Sequence, residues 1–308
     1  MPPLVVIVGP TAVGKTGLAL ALAEALNGEI IGADSRQVYR FMDIGTAKPT
    51  AEQRAQVPHY GIDLIEPDET LSLATYLAHA HDAIRDIQQR GKLPLLVGGT
   101  GQYVTALMEG WSVPSVPPNE SLRAELEAYA AENGAAALGE RLKALDPVAY
   151  EAIDYRNVRR VIRALEVIAA TGQPFSTQRI KTPPPYRMLH YALTMERDAL
   201  YERADRRVDA MIDEGFIDEV QGLLDRGYSP DLPAMSGLGY TEIVAYLRDT
   251  PPTFDETRRA IYHATHDFIR RQYTWFRKYN AEAVWLDTSA VDSAKITMAI
   301  REQIDASA

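Results

Sequence analysis

Residues 4–8, Leu4-Val5-Val6-Ile7-Val8, form an unbroken apolar run ending at Gly9, the pattern of a strand covered on both faces as in a parallel sheet. A helix is predicted over 16–26, stopped by Asn27 and Gly28. Strand, glycine loop and helix in that order make an α/β unit. Further strand-like runs follow at 29–33, 60–65 and 93–97. Between the last two, Ser72 is placed to cap a helix running to Arg90, with Leu73, Tyr76, Leu77, Ala80, Ile84 and Ile87 on one side and Gly91 as its stop. This part of the chain predicts a Rossmann-like, doubly wound layer.

The pattern changes at Pro114, Pro117 and Pro118, and proline returns at Pro183, Pro184 and Pro185. Between these marks no strand is predicted. Helical segments over 122–131, 135–145 and 158–170 are separated by Asn133-Gly134 and Asp146-Pro147 and closed by Gly172. The expectation is an α/β core domain made of residues 1–113 and 186–308, carrying an all-helical insertion over 114–185. Around the third of those helices Arg156, Arg159, Arg160 and Arg163 recur at helical spacing and are expected to share an outward face. Val158, Val161, Ile162, Leu165 and Ile168 supply the apolar side. After the insertion come a strand at 189–193, a helix at 200–214 with Arg203 and Arg207 one turn apart, and a long helix at 256–279. A strand at 284–286 and a helix at 293–304 finish the chain.

The 308 residues carry a net charge of −10, which opposes indiscriminate coating of nucleic acid and confines any RNA contact to local basic patches. Three clusters qualify: Arg156 to Arg163, then Arg203, Arg206 and Arg207, then Arg270, Arg271, Arg277 and Lys278. Such clusters are ordinarily solvated faces. Hydrophobic residues make up 46% of the chain, enough for a substantial core, yet no apolar stretch is long enough for a membrane span and no leader pattern opens the chain. With no cysteine there is no disulfide framework, no cysteine-based zinc site and no thiol nucleophile, so a cytoplasmic protein is expected.

Gly9-Pro10-Thr11-Ala12-Val13-Gly14-Lys15-Thr16 satisfies the P-loop pattern, with a strand before it and a helix after. Consecutive backbone N–H groups in such a loop curl around a phosphate chain, the helix N-terminus adds its positive end, and Lys15 neutralises the outer oxygens. Thr16 is placed to offer its hydroxyl to Mg²⁺. A P-loop alone leaves NTPase, kinase and other transferase open. The base-reading Asn-Lys-x-Asp of a GTPase is absent, and Pro94-Leu95-Leu96-Val97 runs into Gly98-Gly99-Thr100 where a typical NTPase has a metal-binding Asp. The acidic residue at a strand end is instead Asp34, where open α/β sheets do their chemistry. From the residues alone Asp34 is as much a helix cap or salt-bridge partner as a catalyst, and Thr100 has capping of the next helix as its alternative.

GPTAVGKT (9–16), ADSRQVYR (33–40), MDIGTAKP (42–49), LPLLVGGTGQY (93–103), RALEV (163–167), GLGY (237–240) and RRQYTWFR (270–277) occur in this order. Together they resemble the bacterial tRNA dimethylallyltransferases over nearly the whole chain. The run 43–49 and the Gly98-Gly99-Thr100 strand end are the distinctive marks. Met235-Ser236-Gly237-Leu238 before Gly239 is a small departure, since relatives often carry isoleucine or valine before that glycine.

The resemblance implies a P-loop NTPase-like fold and a Mg²⁺-assisted transfer of the dimethylallyl group of dimethylallyl diphosphate. The acceptor is the exocyclic N6 amine of the adenosine at tRNA position 37, just 3′ of the anticodon. It implies Asp34 as general base, Thr100 as an orienting residue, Lys15 and Arg207 on the diphosphate, and Thr16 at the metal. It further implies that Asp34, Ser35, Arg36 and Gln37, with Arg159, Arg160, Val161, Ile162 and Arg163, face the anticodon stem-loop. Trp275 and Phe276 of the third cluster are expected to pack in the core. His59, His263 and His266 lack a metal-site spacing. A monomer without membrane contact is expected. Competing readings are a P-loop small-molecule kinase, which leaves Gly98-Gly99-Thr100 unexplained, a prenyltransferase acting on free adenine nucleotides, and a non-catalytic RNA-binding protein, which has no use for Lys15.

Overall fold

The computed structural model describes residues 1–114, 116–178, 181–248, 252–279, 282–290 and 292–306. Its strands are β1 (Pro3–Val8), β2 (Gly28–Gly32), β3 (His59–Tyr60), β4 (Leu93–Gly98), β5 (Arg187–Thr194) and β6 (Val284–Asp287). Its helices are α1 (Lys15–Ala25), α2 (Ala51–Gln56), α3 (Leu73–Gln89), α4 (Gly101–Met108), α5 (Glu120–Leu145), α6 (Pro147–Ala152), α7 (Val158–Thr171), α8 (Arg197–Asp213), α9 (Phe216–Asp225), α10 (Tyr240–Tyr246), α11 (Phe254–Tyr279) and α12 (Ser293–Asp305). They fall into two compact units, Met1–Met108 with Pro185–Ala308, and Glu109–Pro184.

The first unit is built on a six-stranded sheet in the order β3-β2-β4-β1-β5-β6, with every neighbouring pair parallel. β1 lies inside it, Val5 facing Leu95 on one side and Leu189 on the other, and Leu4 to Val8 are fully buried. A strand covered on both faces can be continuously apolar, which is why this run reads so plainly in the sequence. From β1 the chain moves one way to β4 and β2 and the other way to β5, so the loop after β1 opens at the carboxyl edge where such sheets bind ligands. Among the described residues no helix is long and apolar enough to cross a membrane.

Ser72 caps α3 through an N–H from Thr75 at 3.0 Å, and Tyr76, Leu77, Ala80, Ile84 and Ile87 are buried along one stripe. Leu77, Ile84 and Ile87 each stabilise by roughly 2 kcal/mol on full burial. The strand expected at 60–65 stops at Tyr60. Gly61 and Asp63 take positive φ, 80° and 53°, and turn the backbone, after which Leu64 and Ile65 donate to the Val38 carbonyl. Nor does the sequence pattern predict α9 and α10. Both start immediately after a positive-φ glycine, Gly215 and Gly239, which has no side chain to cap with; at α10 the Glu242 carboxylate accepts Gly239 N at 3.0 Å.

The second unit is helical among its described residues. The segments expected at 122–131 and 135–145 form one run, α5, interrupted where Gly134 adopts φ 86° and ψ 158°. Leu126, Leu138, Leu142, Ile153, Val161 and Ile162 make its core. Asn157 caps α7 and Gly172 closes it in the left-handed conformation, φ 67°. Glu166, 1% exposed, accepts from Asn119 N at 2.7 Å and Arg123 Nε at 2.9 Å and pairs with Arg163. Burial alone pushes its carboxyl up, but these donors outweigh it and hold the group below its ordinary range.

Candidate functional site

Residues 9–16 turn from β1 into α1 at a place where side chains have little room. A Cβ on Gly9 would stand 2.9 Å from the Leu193 carbonyl oxygen of β5. Gly14 takes φ 104° and supplies the N-terminal turn of α1. Lys15 folds back over the loop, its amine donating to the carbonyls of Gly9 at 2.9 Å and Pro10 at 2.7 Å. This amine is pushed down to about 7, chiefly by burial, with Asp34 pulling it up and Arg207 adding to the fall. An anion in the loop would relieve that desolvation. Thr16 is exposed on the first turn of α1.

Asp34 follows β2. Ala33 N donates to Val97 O at 2.8 Å and Thr100 N to Ala33 O at 3.0 Å, which locks the ends of β2 and β4 together. The contact is so close that a Cβ on Gly98 would lie 2.1 Å from the Ala33 carbonyl oxygen. One oxygen of Asp34 accepts Arg36 N at 2.8 Å, opening a turn; the other has no protein hydrogen bond among the described residues. Thr100 Oγ1 accepts Ser35 N at 2.9 Å and donates to Ser35 Oγ at 3.2 Å. Arg36 donates to Pro233 O, and Gln37 donates through its amide to the carbonyls of Thr46 and Ala47.

The helix α8 brings two arginines to the same place. Arg207 lines the cavity described below; burial pushes its guanidinium below its ordinary value, Asp34 raising it and Arg203 lowering it. Arg203, one turn earlier, lies over the P-loop, with Nη2 3.5 Å from where a Cβ on Gly14 would stand. Among the described residues neither arginine has a salt-bridge partner. Arg203 is exposed, as expected of its cluster, and its i, i+4 spacing from Arg207 brings both to one face of α8.

Asp34, Thr100 and Arg207 border one cavity of about 390 Å³. Thr11, Asp34, Thr100 and Arg207 contribute to its polar lining, and Val208, Met211, Leu238, Phe268 and Trp275 to an apolar lining. Lys15 is tied to this wall by its loop carbonyls, so Lys15, Asp34, Thr100 and Arg207 are brought together.

The distinctive run 43–49 is fixed from beneath. The Glu219 carboxylate accepts the N–H groups of Asp43 and Ile44 at 2.7 Å and Gly45 at 3.1 Å, and the Tyr240 hydroxyl at 2.6 Å. A Cβ on Gly45 would stand 2.1 Å from the Phe216 ring, which accounts for glycine there. Burial, with the Glu219 charge, holds the Tyr240 hydroxyl far above its ordinary value. The buried Lys48 joins Asp43 at 2.8 Å to Asp63 at 2.6 Å. Glu219 and Tyr240 sit on α9 and α10, which the sequence pattern does not predict.

In the helical unit the expected arginine stripe is broken up. Arg159 and Arg160 are exposed and unpaired among the described residues. Arg156 precedes α7 and binds Asp154 at 2.7 Å, while Arg163 is drawn inward to Glu166 and to Val116 O at 3.0 Å. Val161 and Ile162, expected at the RNA, are 0% and 3% exposed, because at 3.6 residues per turn they fall on the apolar side of α7 with Leu165 and Ile168, away from Arg159 and Arg160. Their side chains brace α7 and do not reach its surface. On α11, Arg270, Arg271, Arg277 and Lys278 are exposed, Phe276 is fully buried, and Trp275 donates to Thr105 Oγ1 at 3.1 Å.

Among the described residues no three His, Asp or Glu side chains gather as a metal cluster. Mg²⁺ does not require one, since it commonly keeps several waters and binds through few protein oxygens plus substrate phosphates. The exposed Thr16 hydroxyl at the start of α1 fits that demand.

The family model described as IPP transferase matches residues 37–279. A tRNA dimethylallyltransferase of Roseiflexus sp. (strain RS-1) is 53% identical over 307 residues, 99% of this chain and 100% of that one. One from Herpetosiphon aurantiacus is 54% identical over 277 residues, 90% of this chain and 88% of that one. Among solved structures, the full-length tRNA isopentenylpyrophosphate transferase of Bacillus halodurans superposes with a TM-score of 0.72 at 44% identity, covering 99% of this chain and 96% of that one. A eukaryotic dimethylallyltransferase acting on tRNA gives a TM-score of 0.79 at 25% identity, covering 94% of this chain and 74% of that one.

Proposed function

The chain belongs to the IPP transferase family and is an enzyme that prenylates tRNA, and from that premise we propose how its residues divide the reaction. The acceptor is the exocyclic N6 amine of the adenosine at position 37, beside the anticodon, and the donor is dimethylallyl diphosphate. The observation that carries this reading is that Arg207 and Asp34 line one cavity whose lining also has an apolar part, with Lys15 Nζ behind its wall, 3.7 Å from where a Cβ on Gly99 would stand and electrostatically coupled to both. A five-carbon chain suits that apolar lining, and a diphosphate suits the cations.

In the reaction the carbon–oxygen bond of the donor breaks and a bond forms between that carbon and N6. The bonding electrons leave with the diphosphate. The P-loop amides, Lys15, Arg203 and Arg207 bind the negative charge that develops there, which lowers the barrier more than it stabilises the bound donor. Asp34 takes the N6 proton on its free oxygen while its other oxygen is fixed by Arg36 N, a general-base role. Thr100 positions the turn that carries Asp34 by holding Ser35. Thr16, with the diphosphate itself, would hold Mg²⁺, which when bound supplies further neutralisation of the leaving group.

The adenosine lies in a loop, so it can be unstacked and held in a pocket at modest cost. Asp34, Ser35, Arg36 and Gln37 are proposed to meet the anticodon stem-loop, together with Arg159 and Arg160 on the exposed face of α7. Since one copy carries every residue named here, the proposed active form is a monomer, which light scattering during turnover would test.

The mechanism is tested on Asp34→Asn, which keeps the shape of the side chain and removes its capacity to take a full proton. Single-turnover transfer should fall by on the order of 10² to 10⁴ while donor affinity is maintained. Near-normal chemistry would remove Asp34 from the mechanism, and a joint collapse of donor and Mg²⁺ affinity would make it a metal ligand instead.

A further inference from the structure

The side chain of Gln272 is buried, 6% exposed, among groups that belong to both halves of the site. Its Oε1 accepts the backbone N–H of Thr11, in the P-loop, at 2.8 Å. Its Nε2 donates to the carbonyl of Gly99, at the end of β4, at 3.0 Å. The partners fix the orientation of the amide, because an N–H only donates and a carbonyl only accepts. On α11 the neighbouring turns bury Ile269 and Phe276, so the side chain is held from both sides along the helix.

The glycines of the strand end follow from this packing. A Cβ on Gly99 would stand 2.6 Å from Gln272 Nε2, and a Cβ on Gly101 would stand 2.2 Å from Trp275 Cδ1. Gly99 and Gly101 are thus small because α11 presses Gln272 and Trp275 against them. Between them sits Thr100, whose hydroxyl holds Ser35 next to Asp34. The P-loop binds on the other side of the same amide. By engaging Thr11 N, Gln272 pins the first half of the loop and leaves the N–H groups at the start of α1, which have no intrahelical partners, for a phosphate.

We infer that Gln272 is a positioning residue that sets the diphosphate loop in register with the Gly99–Thr100 strand end, and so fixes the distance between the leaving group and the proton acceptor. The inference rests on the assignment of the P-loop to the diphosphate donor. An amide is the neutral side chain of this length that accepts and donates at once. A carboxylate at the same place accepts from Thr11 but meets the Gly99 carbonyl with a lone pair, whereas a protonated carboxyl does both tasks.

The test compares Gln272→Glu, Gln272→Met and Lys15→Ala in the full chain, reading donor KM, kcat, tRNA affinity and melting temperature from about pH 6 to about pH 8.5. For Gln272→Glu a rise in donor KM of at least about tenfold is expected at the upper end, falling toward wild type as pH drops and the carboxyl is protonated. Gln272→Met keeps the length and loses both hydrogen bonds, so its rise should be independent of pH. In both, tRNA affinity should stay within about twofold of wild type. A folded Gln272→Glu whose KM and kcat profiles match wild type overturns the inference, as does a loss of tRNA affinity that parallels the loss in KM. If the glutamate variant does not fold, Gln272→Met decides: a raised donor KM with intact tRNA affinity supports the role, and an unchanged KM ends it. Lys15→Ala separates the two levels. If it raises donor KM while both Gln272 variants do not, only the inference fails; if none of the three does, the donor assignment of the loop fails with it.

Discussion

The Thr100 hydroxyl accepts the backbone N–H of Ser35 at 2.9 Å and donates to its side chain at 3.2 Å. A threonine capping its own helix would instead accept from an N–H within α4, so this one is committed to the turn that carries Asp34. Thr100→Ala should lower single-turnover transfer by about tenfold to a hundredfold, since a small misplacement of a reacting group is costly. Thr100→Ser should retain most of the rate, because it keeps the acceptor. Equal losses in the two variants would show that the methyl group matters and the hydroxyl does not.

Lys15 gives the site a pH signature. With its amine pushed down to about 7, the empty protein holds Lys15 largely neutral above that pH, while a bound diphosphate raises it again. Binding of inorganic pyrophosphate should therefore take up protons above about pH 7, and affinity should weaken as pH rises from there. The same linkage has a sign for folding. The folded value lies below the unfolded value of 10.5, so the unfolded chain binds more protons between the two and stability rises with pH across that window. Calorimetry of pyrophosphate binding in buffers of different ionisation heat, with Lys15→Ala subtracted to remove the protons of pyrophosphate itself, measures the uptake. No difference between the two proteins would remove Lys15 as its source.

Arg203 and Arg206 are neighbours in sequence with opposite expectations. Both are exposed, but Arg203 lies over Gly14 without a salt-bridge partner among the described residues, whereas Arg206 faces Glu202 at 3.7 Å. Arg203→Gln should weaken pyrophosphate binding by about tenfold, the loss of one charge-assisted hydrogen bond. Arg206→Gln should leave it unchanged. Matching affinities for both variants would return Arg203 to the surface cluster.

On α7 the RNA phosphates are expected to meet Arg159 and Arg160, the two arginines left free by Asp154 and Glu166. Replacing both with alanine should weaken tRNA binding and reduce the slope of log affinity against log salt by nearly one unit for each phosphate that is no longer neutralised. Donor binding should not move. An unaltered salt slope would mean that the RNA does not use this face.

Much of this protein was legible in the sequence wherever the determining interactions are local. The run Leu4 to Val8, the P-loop, the Ser72 cap and the Gly172 stop each depend on residues within a few positions of one another, and each was found where its pattern placed it. The regular turn of a helix also announced that Arg203 and Arg207 share a face. Chain-distant packing decided the rest. Gln272 meets Thr11 across 261 positions and Gly99 across 173, and nothing in RRQYTWFR distinguishes a glutamine that bridges two loops from one facing solvent. Glu219 reaches the backbone of Asp43 across 176 positions, so the motif 43–49 was conspicuous as a sequence while its anchor was not. The contiguous stretch Arg159 to Arg163 likewise looked like one surface in sequence. The helix sends Val161 and Ile162 into the core, and the charge of buried Glu166 draws Arg163 after them, because a carboxylate removed from water requires cationic partners and takes them from the nearest face.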